Sequence, residues 1–342
     1  MRIEEFDYHL PRSLIAQYPS PERGRTSLMI LDRQTGRTEH QTFQDIVKHL
    51  RAGDLLVMND TRVLPARLFG QKETGGRIEM LLIPSWNGSE GEWRALIRGA
   101  KKVKRGARIQ FEPGIQGEIL GVEDGKGRVR FSYPGDVRDI LREIGHMPLP
   151  PYIKRDDEPL DRERYQTVFA QRDGSIAAPT AGLHFTHPLL QSLKENGVHT
   201  TMVTLHVGLG TFSQVKSRNV EDHPMEAEWA EISEETAKEI KATKARGGRV
   251  VSVGTTTTRA LESFSDGSGG VRSGKGMTSL FIYPPYRFSV IDGLVTNFHL
   301  PKSTLIMMVS AFAGKEFLMK AYQEAVQNRY RFYSYGDAML IL

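Results

Sequence analysis

Four histidines stand where this chain could do proton chemistry. His184 lies in Thr180-Ala181-Gly182-Leu183-His184-Phe185-Thr186, His206 and His299 follow apolar runs, and His223 sits between Asp222 and Pro224. Imidazole changes charge near neutral pH, so a histidine beside a glycine that admits a ligand can act as acid or base. A histidine satisfied inside the core is the ordinary alternative for any one of them. Their spacings match no zinc motif, and no metal is expected.

Other segments could hold an anion. An apolar run at 250–253, then Gly254 and Thr255-Thr256-Thr257-Thr258-Arg259, reads as a strand, a glycine and hydroxyls opening a helix. Helix N-termini attract carboxylate or phosphate; a threonine-capped turn is the plainer reading. Gly208-Leu209-Gly210-Thr211-Phe212-Ser213 begins like a dinucleotide fingerprint but lacks its third glycine and a following helix, which argues against an ordinary Rossmann site. Its glycines still allow close approach to the backbone. Residues 269–276 nearly match the phosphate loop GxxxxGK[ST], with Gly276 where a hydroxyl is needed, so a flexible loop is expected there. Residues 94–108 carry Arg94, Arg98, Lys101, Lys102, Lys104, Arg105 and Arg108 with no acidic residue, a local field suited to phosphates or a solvated turn. The acidic stretch 221–239 reads mostly as a solvated helix face.

Two textures must position these residues. Segments 77–83, 93–97, 108–111, 117–122 and 128–133 are short and alternating, separated by glycine turns, and predict a small antiparallel barrel or sandwich. A helix is expected at 136–144 and a border near Pro148-Leu149-Pro150-Pro151. Elsewhere strands alternate with helices: strands at 28–31, 54–58, 198–205, 249–253, 279–283 and 290–298, a helix-like stretch ending near Leu50, and helices at 188–196, 233–246 and 310–328. Residues 263–276 read as a Gly/Ser-rich surface loop. The expected fold class is α/β: a discontinuous layered α/β domain, 1–65 with 151–342, carrying an inserted small antiparallel β-barrel domain at 66–150.

The chain has 342 residues with 46 Lys and Arg against 41 Asp and Glu, a net charge of 46 − 41 = +5, and no cysteine. Composition is that of a folded globular protein. Without cysteine there are no disulfides, thiolate metal sites, iron–sulfur ligation or cysteine nucleophile. The acidic N-terminus does not read as a signal peptide and no apolar run reaches membrane-spanning length, so a cytoplasmic protein, most simply a monomer, is expected.

Residues 54–69 (DLLVMNDTRVLPARLF), 179–186 (PTAGLHFT), 204–212 (TLHVGLGTF), 253–263 (VGTTTTRALES), 296–314 (TNFHLPKSTLIMMVSAFAG) and 330–338 (YRFYSYGDA) resemble the S-adenosylmethionine:tRNA ribosyltransferase-isomerases of queuosine biosynthesis, in order and nearly end to end from Phe6-Asp7-Tyr8. One departure is Glu226, where that family's pattern is expected to hold a second histidine. The resemblance implies an α/β domain interrupted by a β-barrel. It also implies transfer of the ribosyl group of S-adenosylmethionine to 7-aminomethyl-7-deazaguanine at the tRNA wobble position, with loss of adenine and methionine and rearrangement to epoxyqueuosine. S-adenosylmethionine is consumed as substrate, and no resident cofactor is expected.

That chemistry needs a base for the proton beside the sulfonium and an acid for departing adenine. Motif membership and proton chemistry make His206 and His299 the candidates, with Asp60 and Asp337 as alternatives. Asn59, Thr61, Arg62, Thr180, His184, Gly208, Gly210, Thr255, Thr256, Thr257, Arg259 and Asn297 are expected to bind substrate, the Thr255–Arg259 segment taking the methionine carboxylate. Arg67, Arg98, Lys101, Lys102, Lys104 and Arg105 are the expected tRNA contacts. Two rivals remain: a non-catalytic tRNA-binding protein, and an S-adenosylmethionine-dependent RNA methyltransferase, which the incomplete glycine fingerprint disfavours.

Overall fold

The computed structural model describes residues 1–83, 92–99, 103–123, 125–133, 135–208, 210, 215 and 217–342. In chain order its strands are β1 (Ser27–Asp32), β2 (Arg37–Thr42), β3 (Leu55–Asn59), β4 (Thr61–Val63), β5 (Arg67–Lys72), β6 (Arg77–Ile83), β7 (Glu92–Arg98), β8 (Arg108–Glu112), β9 (Ile115–Glu123) and β10 (Lys126–Ser132). Then follow β11 (Arg172–Ser175), β12 (His199–Leu205), β13 (Glu228–Ile232), β14 (Val250–Val253), β15 (Gly274–Thr278), β16 (Gly293–Asn297) and β17 (Ala338–Ile341). The helices are α1 (Val137–Ile144), α2 (Pro159–Arg164), α3 (His187–Glu195), α4 (Glu234–Ala245), α5 (Thr255–Ser263), α6 (Thr304–Ala313) and α7 (Lys315–Gln327).

The main sheet runs β15-β13-β12-β3-β14-β16-β17-β1-β2. Its centre, β12, β3, β14 and β16, is parallel. Central strands are covered on both faces, which is why their sequences are continuous apolar runs such as Leu55-Leu56-Val57-Met58. The pleat divides them: Leu55 and Val57 pack into a core with α4 through α7, while Leu56 and Met58 join α3 and the 3₁₀ turn Phe43–Lys48 on the opposite face. Because the four strands are parallel, their carboxyl ends share one edge.

The second unit is a closed antiparallel barrel in the order β10-β7-β6-β5-β8-β9. Ile78, Met80 and Leu82 of β6, with Ala95 and Ile97 of β7, fill it from alternate positions, and α1 adds Val137, Ile140 and Leu141 to the same core. Asp136 accepts a hydrogen bond from the Arg138 amide and so caps α1. The architecture is the expected layered α/β fold interrupted by a barrel.

Several local expectations are corrected. The barrel has a sixth strand, β5, beyond the five expected. Residues 279–283 are not a strand; Phe281 and Tyr283 pack as loop side chains on the core, and the edge position belongs to β15, in what was expected to be loop. The stretch before Leu50 is β2 and a 3₁₀ turn rather than a helix. The helix expected at 310–328 is two helices meeting at Gly314, whose φ of 88° lies in the region that favours glycine. The acidic stretch is no continuous helix face: β13 carries its middle, with Glu228, Ala230 and Ile232 buried.

Candidate active site

His206 follows β12, and its backbone N–H donates to the Trp229 carbonyl of β13 at 2.9 Å. Its ring stacks on the indole, centroids 5.1 Å apart, and Nδ1 lies 2.7 Å from the Thr61 hydroxyl. Burial, with a smaller push from the Arg172 charge, lowers its pKa to about 4. Next to it, Asn59 ties three elements together. Its Oδ1 accepts from the amides of Thr61 and Leu205, each at 3.1 Å, and Nδ2 donates to the Leu205 carbonyl at 2.9 Å and the Thr256 hydroxyl at 3.3 Å.

His299 follows β16 at the same edge. Its Nε2 is 2.7 Å from the Thr296 hydroxyl, its backbone N–H donates to the Tyr322 hydroxyl at 2.9 Å, and its carbonyl accepts from Tyr8. Burial drops its pKa to about 3. The residue lines a cavity of about 20 Å³ with Thr180, Asn297, Tyr333 and Ser334. Tyr152 and Leu300 are shared between this space and a larger one of about 750 Å³, bordered by Arg12, Gln17 and Lys154. The larger space has the size of a small-molecule site.

His184 is held at both nitrogens. The Asn297 amide nitrogen also faces the carbonyls of Tyr333 and Asp337, so it donates to Nε2 of His184, at 3.0 Å. Nδ1–H is left to donate to Thr26 at 2.8 Å. The ring stacks on Phe43, and burial lowers its pKa to about 3. His184 thus orients Asn297, whose Oδ1 is buried without a partner among the described residues.

The carboxylates sit differently. Asp337 accepts from the amides of Ser27 at 2.9 Å and Arg331 at 2.7 Å, tying the C-terminal turn to β1; burial raises its pKa. Asp60 accepts from the Thr204 hydroxyl at 2.6 Å, burial raises its pKa, and it lines a groove of about 270 Å³ with Arg172 and Glu231 that shares no lining residue with the His299 cavity.

Helix α5 starts from Gly254, whose φ is 91°, at the carboxyl end of β14, and no cap side chain takes up its first amides. Thr255 and Thr256 belong to that turn, whereas Thr257 donates back to the Val253 carbonyl at 2.7 Å. Arg259 is buried against Glu228 at 2.6 Å and donates through Nε to the Leu280 carbonyl. Its Nη2 is buried without a partner among the described residues. The other oxygen of Glu228 accepts from the Gly208 amide at 2.7 Å, so one carboxylate fixes both the guanidinium and the glycine segment. A side chain at Gly210 would come within 3.3 Å of Glu226.

Among the described residues, the expected tRNA contacts Arg67, Arg98, Lys104 and Arg105 belong to the barrel, on or between its strands. Arg67 and Arg98 share Glu79, at 2.9 and 3.0 Å. Lys104 and Arg105 are exposed in a turn; Lys101 and Lys102 lie outside the described residues. Arg62 donates to the Ala170 carbonyl at 2.7 Å and is half exposed.

The family model for "Queuosine biosynthesis protein" matches residues 3–341. The chain belongs to that family. Relatives named S-adenosylmethionine:tRNA ribosyltransferase-isomerase are similar throughout: 53% identity with that of Halothermothrix orenii and 50% with that of Trichlorobacter lovleyi, each covering 100% of both chains. A solved structure, that of the S-adenosylmethionine tRNA ribosyltransferase from Thermotoga maritima, is 41% identical, covers 99% of this chain and 100% of its own, and superposes with a TM-score of 0.57.

For this queuosine-family chain, His184, His206, His299, Asn59, Thr61, the α5 threonines and Asn297 were all legible as candidates and stand at one edge by the parallel strand ends. His223 lies apart, after the 220–222 turn and against Phe281. Glu228, Trp229, Tyr152 and Thr296 were not legible. Glu228 carried a weak signal: a carboxylate at the first position of a strand whose next alternate residues are Ala230 and Ile232 points into the core.

Proposed function

We propose that the chain transfers and isomerises the ribosyl moiety of S-adenosylmethionine onto 7-aminomethyl-7-deazaguanine at the wobble position of a tRNA, releasing adenine and methionine. Family membership supports the reaction. The observation that supports this site is the pair His206 and His299, both neutral at physiological pH and both at the carboxyl edge of the same parallel strands. A neutral imidazole can accept the proton beside the sulfonium. Once protonated in so dry a place it is a stronger acid than free imidazole and can hand a proton to departing adenine. Thr61 and Thr296 orient the two rings.

Asn297 Oδ1 is suited to accept a hydrogen bond from a substrate hydroxyl or amine. The first turn of α5, with Thr255 and Thr256, is suited to the methionine carboxylate. Arg259 acts there chiefly by position, because Glu228 already compensates its charge. On this reading residues 66–150 are the RNA-facing unit and 1–65 with 151–342 the catalytic one.

The test uses S-adenosylmethionine labelled in its carboxyl or its methyl group. Labelled methionine with free adenine, in the presence of the modified tRNA, is the expected outcome. Methylated RNA, or no turnover, overturns the assignment in favour of a methyltransferase or a simple binder. At saturating substrates His206→Ala and His299→Ala should each slow adenine release by roughly 10²–10⁴-fold; near wild-type turnover in both would remove the two histidines from the chemistry.

A further inference from the structure

A groove of about 920 Å³ lies on the barrel, lined by Phe69, Gln71, Lys72, Arg77, Glu79 and Arg98, among others. Strand register explains how these side chains meet. Phe69 of β5 pairs with Glu79 of β6, which pairs with Arg98 of β7; one step along, Gln71 pairs with Arg77. Their neighbours Leu68, Ile78 and Ile97 point into the barrel, so this row faces out.

Phe69 is 43% exposed in a row where alternation would permit any polar residue. Its ring is nonetheless held: the Arg67 guanidinium lies 4.9 Å from its centroid, and the His146 ring meets it edge-on at 4.9 Å. Lys72, Arg77 and Arg98 line this groove and Arg67 stands beside it; Glu79 is the carboxylate among the described lining residues and is shared by Arg67 and Arg98. Gln71 donates through Nε2 to the Gly75 carbonyl, and its Oε1 has no partner among the described residues.

An exposed, pre-oriented aromatic ring among cations is the arrangement that binds single-stranded nucleic acid: bases stack on the ring while phosphates pair with the cations. We propose that this outer barrel face is a stacking platform for an unpaired RNA segment, with Phe69 taking one base. The inference rests on the proposed tRNA substrate but concerns a different surface from the sheet edge. An acidic peptide would use the cations and leave the ring idle.

The experiment measures binding of a seven-nucleotide single-stranded RNA, an RNA duplex of the same length, and polyglutamate to the full chain by fluorescence anisotropy. Phe69→Ala should weaken single-strand binding roughly 5- to 150-fold, the equivalent of ~1–3 kcal/mol per stacked base. Duplex and polyglutamate binding should be unchanged, and Phe69→Trp should retain single-strand affinity. Arg77→Gln should weaken all three, and should lower the slope of log affinity against log salt by about 0.7 for the single strand. Equal losses for single strand and duplex, or no loss with Phe69→Ala, would overturn the platform. Adenine release by the unsubstituted enzyme is measured separately. If it occurs while Phe69→Ala binds normally, the platform falls and the function stands; if it does not occur, the function falls whatever the RNA binding shows.

Discussion

The sheet edge and the barrel face treat charge in opposite ways. At the edge polar groups are dry and mostly committed: His184 has both nitrogens engaged, Glu228 and Arg259 are almost fully buried together, and Asp337 is tied to two amides. On the barrel Arg98 is wet, 79% exposed beside Glu79, and Lys104 and Arg105 are exposed, whereas Arg67, 19% exposed, is held between Glu79 and the Phe69 ring. A reaction that moves protons needs groups whose ionisation is set in advance, which burial and fixed partners supply. A surface that meets a polyanion needs charge that water and salt can exchange, which exposure supplies.

The largest expected difference is between the two carboxylates that each serve an arginine. Removing Glu228 leaves the Arg259 charge stranded and the Gly208 amide unpaired, so Glu228→Ala should lower the unfolding free energy by about 3–5 kcal/mol. Glu79→Ala on the barrel should change it by about 1 kcal/mol or less. Urea midpoints of the two variants provide the measurement. Replacing both buried partners at once, Glu228→Leu with Arg259→Met, should recover the part of the loss due to the stranded charge, because a buried pair is costlier to break than to replace, while the Gly208 amide stays unpaired. Equal effects of Glu228→Ala and Glu79→Ala would mean that the edge is as wet as the barrel.

Next in size is acid sensitivity. His184, His206 and His299 sit at about 3, about 4 and about 3, against an ordinary value of 6.5. Below pH 6.5 the unfolded chain takes up protons on these histidines that the folded chain refuses. Stability is therefore fully present above the ordinary value and falls with pH until the folded values are reached. The slope is about 1.4 kcal/mol per pH unit for each histidine. Asp60 and Asp337, raised by burial, work in the opposite sense and regain stability as they protonate. Urea titrations at pH 7, 6 and 5 should show a net fall, and His184→Gln should flatten it by one histidine's share. An unchanged slope in that variant would mean that the ring is already charged in the folded state.

The same division explains what the sequence disclosed. Apolar runs such as 54–58, and glycine-broken alternation in the barrel, are local signals, and the elements they predict are present. β5 escaped because Gly70, Gln71 and Lys72 dilute its alternation, although ladder bonds to β6 and β8 hold it as a strand. The helix break at Gly314 was written in the sequence as a single glycine, but only its backbone conformation turns that into two helices. At the site, histidines and threonines were legible as residue types. Their partners were not, because Thr26 reaches His184 across 158 positions and Arg259 reaches Glu228 across 31. Those pairings are made by the order of the sheet.

The smallest effect concerns Glu226, the residue standing where the family pattern is expected to have a histidine. It lies in the segment before β13 and pairs at 3.2 Å with Lys126 of β10, joining the α/β part to the barrel across a contact in which both side chains are over 40% exposed. An exposed pair of this kind contributes about 0.2–1 kcal/mol and is screened by salt. A neutral imidazole could not hold Lys126 as a carboxylate does, so Glu226→His should loosen this link while shifting the unfolding free energy by less than about 1 kcal/mol. That small shift should vanish in molar salt, where the pair is already screened. A loss of several kcal/mol, persisting in salt, would place Glu226 with Glu228 among the buried, committed groups, and the line drawn between edge and barrel would have to move to include it.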